Sequence, residues 1–235
     1  MSLQTDALPD HFIFWGSQAI NIPCLIVLPI VPISLTTESL QQAANIICRG
    51  GVIAFRTDTF YGLGADPFNQ SAVLKIKKLK GREDHKPILI VISDYDQLDR
   101  FIRSTSSAFE LLAKQFWPGP LTLIGAARPE LPPEITAGAK TVGVRLPNDD
   151  RVRLLVRVCG GALTATSANP SHESPATTAL QVQEYFGDQL DAIVDDGAAQ
   201  TDRPSTVVDV SRDEPKLIRE GVIPWNEIKA ALDID

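Results

Sequence analysis

The fold of this 235-residue chain is predicted from the stretch Gly50-Gly51-Val52-Ile53-Ala54-Phe55-Arg56-Thr57-Asp58-Thr59-Phe60-Tyr61-Gly62-Leu63-Gly64. Val52–Phe55 is a short apolar run bounded by glycines, which is typical of a buried strand in an α/β sheet. Small hydroxyl side chains follow it. Open α/β sheets bind ligands beyond the carboxyl ends of their strands, so a ligand site is predicted here. Gly62 and Gly64 would let the backbone turn sharply toward that ligand. An ordinary strand followed by a polar turn also fits.

Amphipathic helices alternate with short apolar strands along the rest of the chain. The first helix is expected after Thr36 or Thr37, and the second begins at Asn69 or Ser71. Further helices are expected within 94–116, 150–159 and 178–186 and from residue 225. Strands are expected at Ile88–Ile92, Leu121–Ala127, 141–147, Ala162–Thr166, 192–195, Thr206–Val210 and Lys216–Arg219. This alternation predicts an α/β fold with a twisted open mixed sheet flanked by helices.

Two parts of the chain are distinguished. Residues 1–33 are expected to form an N-terminal extension with an edge strand around Cys24–Leu28, and residues 34–235 the folded domain. No lysine or arginine precedes Arg49, so a signal peptide is not expected. Prolines interrupt the apolar N-terminal segment, which disfavours a membrane span.

The composition of the chain argues against several classes of function. The net charge of −7 argues against generic binding to nucleic acid or anionic membranes. The chain has three widely spaced cysteines, which fit a reducing compartment, so we expect the cytoplasm. Its three histidines lie at no metal-ligand spacing, so a zinc site is not expected.

Polar side chains collect at the predicted strand ends, and cations and hydroxyls dominate among them. The clusters are Thr57/Thr59/Tyr61, Lys80/Arg82/Lys86, Thr141/Arg145, Ser167/Asn169, and Ser205/Thr206 with Arg219. No P-loop or dinucleotide-binding fingerprint is present. Such clusters suit an anionic substrate, and phosphoryl and nucleotidyl transfer need mainly positioning and charge stabilisation.

Six short motifs resemble the YrdC-like threonylcarbamoyl-adenylate synthase family in its short single-domain form. They are Thr57-Asp58-Thr59-Phe60-Tyr61-Gly62-Leu63-Gly64, Lys80-Gly81-Arg82, Trp117-Pro118-Gly119-Pro120-Leu121-Thr122, Val144-Arg145-Leu146-Pro147, Ser167-Ala168-Asn169 and Pro204-Ser205-Thr206-Val207-Val208-Asp209. Their order and spacing match the family across roughly residues 36–222. The resemblance implies a twisted sheet around a large, concave, positively charged cavity.

The resemblance also implies a reaction. L-threonine, bicarbonate and ATP would give threonylcarbamoyl-adenylate and pyrophosphate, with Mg²⁺ escorting the triphosphate. The product would pass to a threonylcarbamoyl-transferase complex that modifies the adenosine beside the tRNA anticodon. Weak contact with tRNA is conceivable, and no membrane partner is expected.

Site residues follow from the motifs by the same resemblance. Thr59 and Arg145 are expected to bind L-threonine, with Ala165 and Ser205 lining its pocket. The expected ATP-binding residues are Lys80, Arg82, Lys86, Thr141, Ser167 and Arg219. The expected catalytic set is Lys80, Arg82, Ser167 and Asn169. From the residues alone, Ser167 and Asn169 fit turn chemistry equally well, and Lys86 fits a solvated surface lysine.

The chain departs from the family pattern at a few positions. Arg56 stands where proline is usual, and Glu83 replaces another proline. Val91 occupies the place of a threonine-contacting histidine, and His172 occupies that of a glycine. We therefore expect the histidine contact to be lost or supplied elsewhere, and the loop around His172 to differ.

Two other functions stay open at this point. One is a double-stranded RNA- or tRNA-binding module that uses a YrdC-type fold and Lys75–Lys86; it predicts steeply salt-dependent binding. The other is a related carbamoyl-adenylate enzyme of metallocentre maturation, whose zinc-finger motifs this sequence lacks.

Overall fold

A computed structural model describes residues 32–34, 36–81 and 86–234. Arg82 and the strand expected around Cys24–Leu28 lie outside these residues. Within the described part of the chain, no helix combines the length and the apolar character needed to cross a membrane.

The described secondary structure follows the predicted alternation closely. The helices are α1 (Thr37–Cys48), α2 (Gln70–Lys80), α3 (Ser107–Phe116), α4 (Pro133–Thr136), α5 (Asp150–Val158), α6 (Ala179–Phe186) and α7 (Trp225–Leu232). The strands are β1 (Ile33–Ser34), β2 (Ile53–Arg56), β3 (Tyr61–Gly64), β4 (Ile90–Ile92), β5 (Leu121–Ala126), β6 (Thr141–Arg145), β7 (Ala162–Thr164), β8 (Thr166–Ser167), β9 (Ala192–Asp195), β10 (Thr206–Asp209) and β11 (Lys216–Arg219).

The strands divide between two mixed sheets. The five-stranded sheet has the order β1-β9-β2-β3-β8, and the six-stranded sheet the order β11-β10-β5-β6-β4-β7. Each contains parallel and antiparallel pairs; β2 runs parallel to β9 and antiparallel to β3. The predicted α/β class with helices flanking mixed sheets is therefore confirmed.

Helix ends are determined by local sequence. The Thr36 side chain accepts a hydrogen bond from the Ser39 amide, and the Ser39 side chain accepts one from the Thr36 amide, so α1 begins with a capping box. Asn69 caps α2, which ends at Gly81 in the left-handed conformation, with φ of 56°. This end of α2 places Lys80 beside the loop that follows β8.

The segment Tyr61–Gly64 is a strand, where the sequence predicted a turn. It pairs antiparallel with β2, with Ile53 opposite Gly64. A Cβ atom on Gly64 would lie 2.7 Å from the Phe55 ring, so the glycine is needed for the Phe55 ring to pack across the hairpin. The turn is confined to Thr57–Phe60, where the Thr57 amide donates to the Phe60 carbonyl at 3.0 Å.

The strand expected at Ala162–Thr166 is divided between the two sheets. β7 pairs with β4 and β8 pairs with β3. Ala165 lies between them and donates its amide hydrogen to the Leu89 carbonyl at 2.9 Å. The chain therefore passes from one sheet to the other at Ala165, and a cavity opens beside this crossing.

Candidate functional site

The cavity lies between the two sheets and has a volume of about 300 Å³. The five-stranded sheet contributes the β2–β3 hairpin and β8, and the six-stranded sheet contributes β5, β6, β10 and β11. Among the predicted site residues, six line it: Thr59, Arg145, Ala165, Ser167, Ser205 and Arg219. The structure thus brings the expected threonine-binding residues together with two of the expected nucleotide-binding residues.

The direction of each hydrogen bond around Thr59 follows from counting protons. Thr57 Oγ1 donates its single proton to the Phe60 carbonyl oxygen at 2.7 Å. The 3.1 Å bond between the Thr57 and Thr59 hydroxyls is therefore donated by Thr59. Arg145 Nη1 also donates to Thr59 Oγ1 at 3.2 Å. The Thr59 hydroxyl can therefore only accept a further hydrogen bond, so it selects an N–H or O–H donor on a ligand.

Arg145 is held at the end of β6 by the hairpin turn. Its side chain is 4% exposed, and its Nη2 atom lies 3.3 Å from Asp58 Oδ1. Asp58 Oδ2 in turn accepts a bond from the Asn148 amide at 3.3 Å. Arg145 Nε has no hydrogen-bond partner among the described residues. A buried guanidinium with an unused donor is suited to bind a carboxylate.

Arg219 is the second guanidinium at the cavity. Arg219 as a whole is exposed to solvent, but its Nε and Nη2 atoms donate to the Ser205 carbonyl at 3.1 and 2.9 Å. Partial desolvation lowers the pKa of Arg219, and the charge of Arg145 lowers it further. No aspartate or glutamate lies among the described residues that line the cavity. The cavity is therefore lined by two guanidiniums, of which only Arg145 has a carboxylate partner, Asp58, among the described residues, and an anionic ligand would neutralise the remaining positive charge.

Lys80 and Asn169 lie behind the cavity wall. Lys80 is 5% exposed, and its Nζ atom donates to the carbonyl oxygens of Ser167 and Asn169 at 2.5 and 2.7 Å. Nζ also lies 3.3 Å from Asn169 Oδ1. Lys80 thus fixes the loop that presents Ser167 to the cavity. Its direct contact with a phosphate stays a prediction.

The structure does not place the remaining predicted residues in the described cavity wall. Thr141 begins β6, four residues before Arg145, and does not line the described cavity. Lys86 is exposed beside Pro87, which does line it. Arg82 lies outside the described residues. Their roles toward ATP stay predictions.

Sequence reasoning missed several residues at the site, among them Asp58 and Thr122. Asp58 supports Arg145, and Thr122 lines the cavity with its hydroxyl 3.0 Å from that of Ser205. Both lie inside quoted motifs, so the motifs contained the only signal. Nothing in the local sequence distinguishes a site residue from a polar turn residue or a buried strand residue.

Val91 takes no part in the cavity wall. It is fully buried in β4, opposite Arg145 of β6, whereas Leu89 lines the cavity. His172 adopts φ of 77°, the left-handed conformation that glycine prefers. The loop expected to differ at His172 thus has a glycine-like backbone there.

Arg56 belongs to a buried ion cluster outside the cavity. Its Nη2 atom lies 2.8 Å from carboxylate oxygens of both Asp149 and Asp196, and Arg151 also contacts Asp196. Burial lowers the pKa of Arg56, but bonds and charges of the two aspartates outweigh it and leave the pKa raised. Burial likewise raises the pKa of Asp196, while Arg151 and Arg56 bring it below its ordinary value.

Replacing Arg56 with methionine is expected to destabilise the fold by about 3 kcal/mol, because two buried carboxylates lose their shared cation. Since the pKa of Asp196 is lowered in the folded state, its stabilising contribution is present above the unfolded pKa of about 4 and lost as pH falls through the folded pKa. The difference in the free energy of unfolding between the wild-type protein and Arg56→Met should therefore be largest near neutral pH. Urea unfolding at several pH values measures it.

Arg157→Met is the matched control, because the Arg157–Asp94 pair is exposed. Arg157→Met should lower the free energy of unfolding by less than about 1 kcal/mol. A neutral-pH loss in Arg56→Met no larger than that of the control would show that the buried cluster contributes no net stability.

Sequence comparisons place the chain among known proteins. The profile of the Sua5_yciO_yrdC family, described as telomere recombination, matches residues 45–221. The threonylcarbamoyl-AMP synthase of Pyrococcus abyssi is 37% identical over 193 residues, covering 82% of this chain and 57% of that protein. The protein of the same name from Thiobacillus denitrificans is 39% identical over 163 residues, covering 69% of this chain and 86% of that protein.

Solved structures agree with the sequence comparison. Pyrococcus abyssi Sua5 complexed with L-threonine matches with a TM-score of 0.83 and 34% identity, over 86% of this chain and 61% of that one. E. coli YciO matches with a TM-score of 0.72 and 26% identity, over 81% and 93%. This chain spans about three fifths of the Pyrococcus protein. The resemblance inferred from six motifs is confirmed, and the chain belongs to the Sua5/YciO/YrdC family.

Proposed function

We propose that this protein is a cytoplasmic threonylcarbamoyl-AMP synthase, which makes threonylcarbamoyl-adenylate and pyrophosphate from L-threonine, bicarbonate and ATP. The observation that carries the proposal is the pairing of Arg145 with Thr59. Arg145 offers an unused guanidinium donor, and the Thr59 hydroxyl can only accept. A carboxylate and an N–H group on neighbouring atoms would satisfy both, and an α-amino acid carries that combination.

The amino-acid end of the site is the better defined part. The threonine carboxylate binds Arg145, and its nitrogen donates to Thr59 Oγ1. Ala165 and Ser205 line the same cavity. Relatives that carry the name threonylcarbamoyl-AMP synthase, and the Pyrococcus structure with L-threonine, support this assignment.

The other cationic residues of the site are assigned to the nucleotide. Arg219 and Ser167 bind ATP within the cavity, and Lys80 holds Ser167 in place. Arg82, Thr141 and Lys86 are assigned to the phosphates and nucleotide by the family motif. Mg²⁺ would enter bound to ATP, where it would neutralise charge on the phosphates.

The chemistry proceeds in two balanced steps. The threonine amine attacks the carbon of bicarbonate, and an N-carboxylate forms with loss of water. An oxygen of this carboxylate then attacks the α-phosphorus of ATP, the bond to the β-phosphate oxygen breaks, and pyrophosphate leaves. To catalyse this step, the protein must mainly position the two anions and stabilise their negative charge. The two guanidiniums supply positive charge. Asn169 completes the catalytic set, because Lys80 at the end of α2 donates to the carbonyl oxygens of both Ser167 and Asn169.

The product has a mixed anhydride between a carbamate and a phosphate, which water hydrolyses readily. A tRNA-modifying threonylcarbamoyl-transferase complex would therefore consume it and modify the adenosine beside the anticodon. Any contact of this chain with tRNA would be weak, because its net charge of −7 opposes binding to a polyanion.

The proposal is tested by pyrophosphate release from ATP by the purified protein, with threonine and bicarbonate omitted in turn. Release should require both, and Arg82→Ala should lower it by about 100-fold. Arg103→Ala, at an exposed position outside the cavity lining, should retain it. Release that persists without threonine, or no release at all, would contradict the proposal.

A further inference from the structure

The buried ion cluster around Arg56 connects two segments that carry site residues. Arg56 is the last residue of β2, and the turn Thr57–Phe60 follows it directly. Its Nη2 atom lies 2.8 Å from Asp149 Oδ2 and 2.8 Å from Asp196 Oδ2. Asp149 ends the connection that leads from Arg145, at the end of β6, to α5. The cluster therefore joins the β2–β3 turn to the segment that follows Arg145.

The same two segments are joined a second time, beside the cavity. Asp58 Oδ1 lies 3.3 Å from Arg145 Nη2, and Asp58 Oδ2 accepts a hydrogen bond from the Asn148 amide at 3.3 Å. Both contacts are longer than the about 2.7–2.9 Å of strong charge-assisted hydrogen bonds. The 2.8 Å contact of Arg56 with Asp149 is therefore the stronger of the two connections. Two connections together prevent the turn from rotating relative to the end of β6.

Both carboxylates that hold Arg56 are themselves fixed. Asp149 Oδ1 caps α5 by accepting from the Arg151 and Val152 amides at 3.0 and 3.2 Å, which leaves Oδ2 for Arg56. Asp196 follows β9, and its Oδ1 atom accepts from Arg151 Nε at 2.7 Å. Arg56 is therefore held by two carboxylates whose own positions are determined by other contacts.

The bonding of Arg56 favours a role in geometry. Its Nε and Nη1 atoms are buried and have no hydrogen-bond partner among the described residues, so the single atom Nη2 serves both carboxylates. Unpaired buried donors are unfavourable, and a buried ion pair is often no more stabilising than apolar side chains of the same volume. What this arrangement supplies is a fixed direction between the segments that it joins.

We propose that Arg56 is a positioning residue for the amino-acid substrate: through Asp149, it fixes the Arg145 guanidinium relative to the Thr59 hydroxyl. Arg145 Nη1 and Thr59 Oγ1 are 3.2 Å apart, and they must be presented together to the carboxylate and the nitrogen of one amino acid. A displacement of about 1 Å caused from outside a site can lower the rate by on the order of 100-fold. The inference rests on the proposed function for the identity of the amino acid.

Asp149→Asn tests the proposal most sharply, because asparagine caps a helix as well as aspartate does but lacks the charge that pairs with Arg56. The KM and Kd for L-threonine should both rise by about tenfold, with the KM for ATP nearly unchanged. Arg56→Met should have the same effect, and the double variant should be no worse than the more affected single variant, because both changes break one connection. Arg56→Lys keeps a cation that can donate to both carboxylates, and it should recover most of the threonine affinity.

Two controls separate positioning from stability. Asp150→Asn is the matched control, because Asp150 is the neighbouring aspartate and its side chain is 91% exposed. Leu112→Ala, at a buried position of α3 outside the cavity lining, destabilises the fold without touching the cluster. Loss of folded protein lowers the apparent kcat only, so Leu112→Ala should keep the wild-type KM for threonine.

Wild-type Kd and KM values for threonine in Asp149→Asn and Arg56→Met would overturn the proposal, and so would equal increases in the KM for threonine and for ATP. Because Kd is measured by calorimetry without turnover, variants that weaken threonine binding in a protein that releases no pyrophosphate would refute the synthase function alone. A ligand-free measurement completes the test. The ¹H–¹⁵N NMR signal of the Arg145 Nε–H group, identified by its loss in Arg145→Lys, should move in Asp149→Asn and stay in place in Asp150→Asn. A signal that does not move in Asp149→Asn would overturn the proposal whatever the substrate is.

Discussion

Replacing Arg145 with lysine is expected to lower kcat/KM for threonine by about 100-fold. The guanidinium holds Thr59 through Nη1 and Asp58 through Nη2 while its Nε donor is unused, and an ammonium group cannot reproduce that planar arrangement. Lysine still places a cation near Asp58, so the buried carboxylate keeps a partner and the fold should persist. The effect should therefore appear in threonine binding and turnover, with the KM for ATP nearly unchanged.

Steady-state kinetics with each substrate varied in turn separate these effects. Arg128→Lys is the matched control, because Arg128 bonds to the Asp99 carbonyl and does not line the cavity. If Arg145→Lys keeps the wild-type KM for threonine, the carboxylate does not bind at Arg145.

Replacing Lys80 with methionine is expected to lower pyrophosphate release by at least about 100-fold and to destabilise the fold by about 2 kcal/mol. Methionine is one atom shorter than lysine and cannot donate, so the carbonyl oxygens of Ser167 and Asn169 lose the Lys80 ammonium. The loop then no longer holds Ser167 at the cavity. Both substrates should be affected, because the same loop passes Ala165 and Ser167.

Lys77→Met is the control for this variant. Lys77 lies three residues earlier on α2, is also 5% exposed and, like Lys80, does not line the cavity. Lys80 is the lysine that donates to the carbonyl oxygens of Ser167 and Asn169. Pyrophosphate release and urea unfolding are measured for both variants. Activity in Lys80→Met comparable to that of Lys77→Met would show that the lysine at the helix end serves stability alone.

Much of the fold could be predicted because its determinants are local. Thr36 and Asn69 cap the first two helices as expected, and Gly81 ends the second. The apolar run after Gly51 is the buried strand β2. Each of these features depends on residues within one or two turns of chain, so a single sequence is sufficient to find them.

The division into two sheets depends on contacts that the sequence does not encode locally. The crossing at Ala165 follows from the pairing of β7 with β4 and of β8 with β3, and those partners lie far away in the chain. Strand β3 was missed because two glycines in four residues resemble a turn. One of them, Gly64, serves to admit the Phe55 ring.

Prediction of the site from the sequence was limited in the same way, because several of its contacts join residues that are distant in the chain. Arg145, Thr59 and Ser205 were found because they lie in motifs that resemble a family. The Thr122–Ser205 bond joins residues 83 positions apart, and the position of Arg56 depends on Asp196, 140 positions away. Such pairs are visible only once the sheets have assembled.

The most direct test of the proposed reaction is mass spectrometry of the product formed from ¹³C-bicarbonate, L-threonine and ATP. The expected product is an adenylate that carries one threonine and one ¹³C atom, formed with an equal amount of pyrophosphate. An adenylate without ¹³C, or a ¹³C-labelled adenylate formed in the absence of threonine, would contradict it.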